Sequence, residues 1–177
     1  NQAYNNLSIQ LTDWSPATVG AITLAGGYDD CADTTPSGTT TIDGGTLDPV
    51  IRVNTSSQAA SNVTLRDLLL VGSSQSGLRV EGGGNVTGMQ LVLSNNGTGG
   101  AAVVDGGHLT LDLASEVSSN DGPGITCLTG SIVTSAAWIH AQMLSRSRNS
   151  PTKITFGSCR IAFRMPSAKL PVSMPTS

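Results

Sequence analysis

Three stretches of the chain say nearly the same thing. Gly77 to Thr87 reads GLRVEGGGNVT, Gly100 to Thr110 reads GAAVVDGGHLT, and Gly124 to Thr134 reads GITCLTGSIVT. Around them, Val63, Val86, Leu109 and Ile132 follow one another at intervals of 23 residues, and Thr64, Thr87, Thr110 and Val133 keep the same interval. On the segment before, Leu78 with Val80, Ala101 with Val103, and Ile125 with Cys127 recur after 23 and then 24 residues. A third column, Leu68 with Leu70 and Leu91 with Leu93, is expected to continue at Ala114 and Val117. Within each column the apolar residues stand two apart, which is the period of a strand.

A repeat in the twenties made only of strands defines a solenoid. The Leu-x-x-Leu-x-Leu-x-x-Asn pattern of a leucine-rich repeat does not fit, and 23 is not a multiple of the hexapeptide unit of left-handed β-helices. The spacing predicts an all-β, single-stranded right-handed parallel β-helix of five or six coils. Each unit makes one coil, and inward residues pile on their equivalents at about 4.8 Å. Repetition is then a necessity, since ordering 23 residues removes on the order of 23 to 46 kcal/mol of backbone entropy, which one coil with half a core does not offset.

The spaces between strands carry corner chemistry. Glu81–Gly84, Asp105–Gly107 and Thr129–Ser131 place Gly where a turn needs positive φ. Ser94–Gly97 and Ser118–Asp121 put Asn96 and Asn120 in register, which predicts an asparagine ladder. Aromatic residues make up 3% and charged residues 12% of the chain, a profile suited to short strands and many turns rather than a helical bundle.

Charge divides the chain in two. Residues 1–134 hold all 12 acidic residues and three bases, Arg52, Arg66 and Arg79, for a net −9; residues 135–177 hold six bases and no acid. Of 21 glycines, only Gly157 lies in the second part. Residues 1–134 are therefore expected to form the β-helix and residues 135–177 a basic, Gly-poor tail. That tail is a cap over the last coil, a disordered end, or the product of a shifted reading frame, the last or a truncated end being preferred to a functional domain. Residues 136–146 could form a short helix, and Cys159–Met165 alternates like a strand. No apolar run reaches the roughly 20 residues of a membrane span. The chain starts at Asn1 without a charged-then-apolar leader, so any signal peptide is expected to have been removed or to lie outside this sequence.

Asn95–Gly107, NNGTGGAAVVDGG, resembles the Asn-then-Gly-Gly-apolar repeat of polymorphic outer membrane protein-type bacterial surface β-helices in the pectin-lyase-like superfamily. Ala3–Leu11 resembles the first coil of such helices, and Ile22–Cys31 a segment near their start. Val92 or Leu93 stands where the family pattern has an aromatic residue. The resemblance covers residues 1 to about 134. It implies a bacterial secreted or cell-surface protein, an adhesin or outer-membrane stalk, whose partners are glycans or host and cell-surface molecules, with no nucleic acid among them.

Because similar β-helices include pectate lyases and polygalacturonases, catalysis needs a test. A lyase requires clustered Ca²⁺-binding carboxylates and an Arg or Lys base. Residues 1–134 contain no Lys, and Arg66 and Arg79 lie in different columns, so no basic cleft is implied. A hydrolase of the inverting kind requires carboxylates about 6.5 to 9.5 Å apart, and of the family motifs only Asp29-Asp30 occurs. Asp29, Asp30 and Asp33 form a candidate Ca²⁺ site, although an acidic, solvated loop accounts for them better. His108 follows two glycines but reads chiefly as an exposed corner residue equivalent to Asn85. No catalytic residue and no cofactor are assigned, Ca²⁺ being the one candidate ion.

Three cysteines, an odd number, argue against a disulfide framework. Cys127 takes the inward place of Val80 and Val103 and reads as a small buried apolar residue; Cys31 lies in a loop and Cys159 in the tail. Asn-x-Ser/Thr sequons at Asn6, Asn54, Asn62, Asn85 and Asn96 are expected by chance in so Asn- and Thr-rich a chain. The Thr64, Thr87 and Thr110 column reads as a ladder supporting the sheet, since Arg66, Met89 and Asp112 two residues on interrupt a flat ice-binding face. The expected function is a non-catalytic secreted or cell-surface scaffold for adhesion, the alternative being a carbohydrate-active β-helix.

Overall fold

The computed structural model describes residues 2–12, 21–30, 32–55 and 62–134, and the backbone of residues 155–163. β1 (Ala3–Asn5), β2 (Ile9–Thr12) and β3 (Ala21–Ala25) make the first turn of a parallel β-helix. β4 (Thr40–Asp43), β5 (Ile51–Asn54) and the first half of β6 (Asn62–Val71) make the second. The rest of β6, β7 (Ser76–Glu81) and the first half of β8 (Asn85–Ser94) make the third. The rest of β8, β9 (Gly99–Val103) and β10 (Gly107–Leu111) follow, then β11 (Glu116–Ser118) and β12 (Ile125–Thr134). β13 (Thr155–Phe163) pairs in parallel along β12.

Three faces result, all built from parallel neighbours. β2, β5, β7, β9 and β12 stack on the first face, and β3, β6, β8, β10 and β12 on the second. β1, β4, β6, β8 and β11 stack on the third. The strands β6 and β8 serve two faces because each bends at a left-handed residue, Asp67 (φ 56) and Gln90 (φ 50). Asp105 (φ 50) and Gly82 (φ 62) turn the corner between the first and second faces. Asn6, Gly72, Asn95 and Ser119, all with φ between 53 and 74, turn the corner between the third and first. The left-handed residue there is Asn95, one before the ladder asparagine.

The apolar columns fill the interior. Val63, Val86, Leu109 and Ile132 stack in register, as do Val53, Val80, Val103 and Cys127, all at most 4% exposed. Alternation of inward apolar and outward polar residues explains why each segment is a strand: a one-residue slip would turn every Val and Leu into water.

Several expectations change. The early turns are longer than 23 residues: Ile22 pairs with Val63, 41 residues on, and Thr41 with Leu69, 28 on. Ala114 is exposed, and the place above Leu91 belongs to Ser115, whose Oγ accepts the Leu91 N–H at 3.1 Å. One added residue before Ser115 shifts the step from 23 to 24, so Val117 stacks on Leu93. Cys127 is fully buried as expected but is disulfide-bonded, so it is more than a small apolar filler; its partner's side chain lies outside the described residues. The strand expected at Cys159–Met165 overlaps β13, which runs from Thr155 to Phe163; residues 164 and 165 fall outside the described residues. The helix expected at 136–146 falls outside the described residues.

The asparagine ladder is present and buried. Asn96 and Asn120 are 1% and 5% exposed. Asn120 Oδ1 accepts both Asn96 Nδ2, at 3.1 Å, and the Asn96 backbone N–H, at 3.0 Å. Asn96 Oδ1 in turn accepts the Ser73 N–H, and its amide donates to the Leu70 and Ser94 carbonyls. The invariant Gly of the repeat makes room for this ladder, since a Cβ on Gly77 would stand 2.7 Å from Asn96 Nδ2. Replacing Asn96 with Ala strips partners from several buried backbone groups, an expected loss of about 2 to 4 kcal/mol. A urea melt of Asn96→Ala checks this; a midpoint equal to that of the parent would contradict the ladder's role.

Candidate functional site

Three polar constellations stand apart from the core. The first is on the outer side of the first face, where Arg52 pairs in register with Arg79 and Asn54 with Glu81. Glu81 is 4% exposed although charged. Its Oε1 accepts Arg52 Nε at 2.7 Å, Arg52 Nη2 and Asn54 Nδ2, and its Oε2 accepts Arg79 Nε at 2.6 Å. Burial pushes the Glu81 carboxyl up, but hydrogen bonds and charge from Arg79 and Arg52 outweigh it and leave the group below the usual carboxylate range. Glu81 is thus an anion with both oxygens occupied, unfit as a general acid or base.

The second constellation is the acidic loop after β3. Asp33 Oδ2 accepts the N–H groups of Asp29 and Asp30, at 2.9 and 3.0 Å. Asp30 Oδ1 accepts those of Ala32 and Asp33, and Asp29 Oδ2 accepts the Ser37 hydroxyl at 2.7 Å. The Ser37 bond lowers the Asp29 pKa. These carboxylates hold their own turn in the manner of Asx turns. Among the described residues, no group of three His, Cys, Asp or Glu side chains is placed to hold a metal ion. Asp30 and Asp33 do help line a cavity of about 560 Å³ at the first turn, together with Gln2, Tyr4, Tyr28, Leu24 and Leu68.

The third runs along the second face. Asn62, Asn85, His108 and Ser131 form an outward column, and Thr23, Thr64, Thr87, Thr110 and Val133 the column beside it. Asn85 Nδ2 donates to Asn62 Oδ1 at 2.7 Å, and His108 Nδ1 lies 2.6 Å from Ser131 Oγ. His108 is exposed and in register with Asn85, as the sequence predicts. A serine nucleophile activated by this imidazole needs a further group to orient the ring and a cleft to hold substrate; here the pair is two rungs of an exposed ladder.

The Arg52–Arg79–Glu81 cluster was not foreseen from the sequence. Arg66 and Arg79, expected in different columns, lie on different faces: Arg66 is on the second, where its Nη2 donates to the Tyr28 hydroxyl at 2.7 Å. The Arg52–Arg79 step is 27 residues, longer than the repeat. The signal was available in Ile51-Arg52-Val53, which matches Leu78-Arg79-Val80 residue for residue in character. Comparison with known proteins adds no relative: no protein-family model, no curated protein and no solved structure matches the chain.

The depressed Glu81 pKa sets a pH dependence. The stabilisation is complete above the ordinary glutamate value of 4.5 and is lost as pH falls through the lower folded value. Glu81→Gln is expected to destabilise the protein by about 1 to 3 kcal/mol at neutral pH, leaving two guanidinium groups half-paired. The gap between parent and variant should shrink as pH is lowered from about 5 to about 3. Urea melts across that range check it, and a gap that widens with acid would refute the assignment.

Proposed function

We propose that the chain is a non-catalytic scaffold working outside the cell: a secreted or cell-surface β-helix that presents its sides for adhesion. Its kin, on this reading, are the polymorphic outer membrane protein-type β-helices of bacteria within the pectin-lyase-like superfamily, as the Asn-Gly-Gly-apolar repeat at Asn95–Gly107 suggests. The observation that carries the reading is the paired outward ladder on the second face. Asn62, Asn85, His108 and Ser131 beside Thr64, Thr87 and Thr110 offer hydrogen-bonding groups repeated at about 4.8 Å. Neutral hydroxyls and amides held on a rigid sheet suit a polyhydroxylated surface such as a glycan, which they meet without desolvating a charge. The polar groups that would otherwise serve catalysis, Glu81 and the Asp29–Asp33 loop, are engaged in structural hydrogen bonds.

A carbohydrate-active β-helix is the second reading. It is favoured by the cavity at the first turn, whose lining includes Tyr4, Tyr28, Asp30 and Asp33. The two separate cleanly. Beads coated with the folded protein should be retained on glycan-coated surfaces, and an Asn85→Lys, Thr87→Lys variant should fall to the level of uncoated beads. Uronate polymers incubated with the protein and Ca²⁺ should yield no unsaturated product. Product formed by the parent but not by an Asp29→Ala, Asp30→Ala variant would replace the scaffold reading with the enzymatic one.

A further inference from the structure

On the outer side of the first face two cations share one anion. Arg52 and Arg79 are neighbours in register on β5 and β7, strands about 4.8 Å apart. Like charges so placed repel, and the Glu81 carboxylate holds them together. Its Oε1 takes Nε and Nη2 of Arg52, and its Oε2 takes Nε of Arg79. The Glu81 side chain is 5% exposed, those of Arg52 and Arg79 39% and 35%. The carboxylate therefore lies beneath, and the guanidinium tips face water.

The cluster has donors to spare. Every nitrogen of a guanidinium carries N–H groups, arranged in a planar fork. Arg52 Nη1 and both Nη1 and Nη2 of Arg79 have no hydrogen-bond partner among the described residues. Two positive charges also meet only one negative charge, so one cation's worth of charge is left uncompensated within the cluster. The flanking positions of the same outward column do not supply the missing anion: they are Gln10 on one side and Ala102, then Thr126, on the other. Gln10 turns its Nε2 along its own strand to Ser8 Oγ at 2.9 Å. Ala102 has only a methyl group, too short to cover the Arg79 fork.

The arrangement is also ordered in advance. Both side chains are anchored on one carboxylate, so much of the rotamer freedom an arginine gives up on binding is already lost on folding. The three outward Nη groups match in number the three terminal oxygens of a sulfate or phosphate monoester, whereas a carboxylate or a nucleic-acid diester offers two. Residues 1–134 carry a net −9, which opposes a dense polyanion. A single acidic group is opposed less, because charges beyond about 8 Å are screened at physiological salt while the fork acts at hydrogen-bond distance.

We infer that Arg52 and Arg79 form a binding site for a sulfate or phosphate monoester carried by a sugar. The sugar rests on the reading of the chain as a glycan-binding scaffold. The oxoanion site rests on the arginines alone, on a different face from the Asn and Thr ladders.

The test follows the arginine Nε–H signals of the isotope-labelled full chain by NMR. A galactose sulfate monoester and a galactose phosphate monoester are titrated in, with galactose, galacturonate and inorganic sulfate alongside. Expected is a saturable shift of Arg52 and Arg79 with one or both esters, the tighter one naming the ligand. Galacturonate and inorganic sulfate should bind at least about tenfold more weakly, and galactose should leave these signals unmoved. Ala102→Glu sets a carboxylate beside the free fork and leaves the Glu81 pairs in place; ester binding should fall at least about tenfold. Ala102→Gln should bind as the parent does. Arg79→Lys, which keeps the charge without the fork, should weaken binding as Ala102→Glu does. All three should melt with the parent by circular dichroism, and Ala102→Glu should still be retained on neutral glycan surfaces, so each reading can fail separately. Inorganic sulfate that binds as tightly as the esters overturns the sugar. Shifts confined to the arginines of residues 135–177 overturn the site, as does galacturonate binding as tightly as the esters. Ester binding that survives both Ala102→Glu and Arg79→Lys overturns it too.

Discussion

A parallel coil has no hairpin to set its register. Successive strands on one face are separated by a whole turn, so nothing local decides which residue lies above which. Register is decided by side chains that match when stacked and clash or hydrate when slipped. Val63, Val86, Leu109 and Ile132 are such a set, buried to within 4% of completeness and each in register with the next. Everything outside the core follows from this choice: it puts Asn96 under Asn120, Arg52 beside Arg79 and His108 beside Ser131. The corners then need only absorb the difference in length between turns.

Buried polar groups sharpen the register that the apolar columns establish. A Val column tolerates a small shift at modest loss, whereas an amide ladder tolerates none, because a misplaced Asn leaves buried donors and acceptors unpaired. Asn96 joins three turns at once, through Leu70 and Ser73 on one side and Asn120 on the other. Glu81 does the same on the first face, tying the Arg52 and Asn54 strand to its own. Both sit beside corners, where the backbone is least regular and register most easily lost.

How much of this was legible in the residues depends on the insertions. From Asn62 to Val133 the step is 23 or 24, so the strands, the inward columns, the Asn96–Asn120 ladder and the equivalence of His108 with Asn85 could all be read directly. Before Asn62 the step grows to 27, 28 and 41, the echo fades, and the Arg52–Arg79–Glu81 cluster went unseen. The added residue ahead of Ser115 misled for the same reason, since Ala114 is apolar and sits at the expected interval. The bends at Asp67 and Gln90 left no glycine to mark them. Of the candidate Ca²⁺ residues, sequence proximity was visible, but the direction of each carboxylate was not; Asp30 and Asp33 turn one oxygen each onto the loop backbone.

The functional picture rests on the same stack. A surface made of repeated polar rungs is a consequence of laying one unit on another in a single sense. The most direct test of that arrangement is a methyl–methyl NOESY spectrum of protein labelled at Val, Leu and Ile. Stacking predicts cross-peaks joining Val63 to Val86, Val86 to Leu109, and Leu109 to Ile132, residues about 5 Å apart in neighbouring strands. Absence of these, or amide contacts pairing Arg79 with Val86 across a hairpin at Gly82–Gly83, would contradict it.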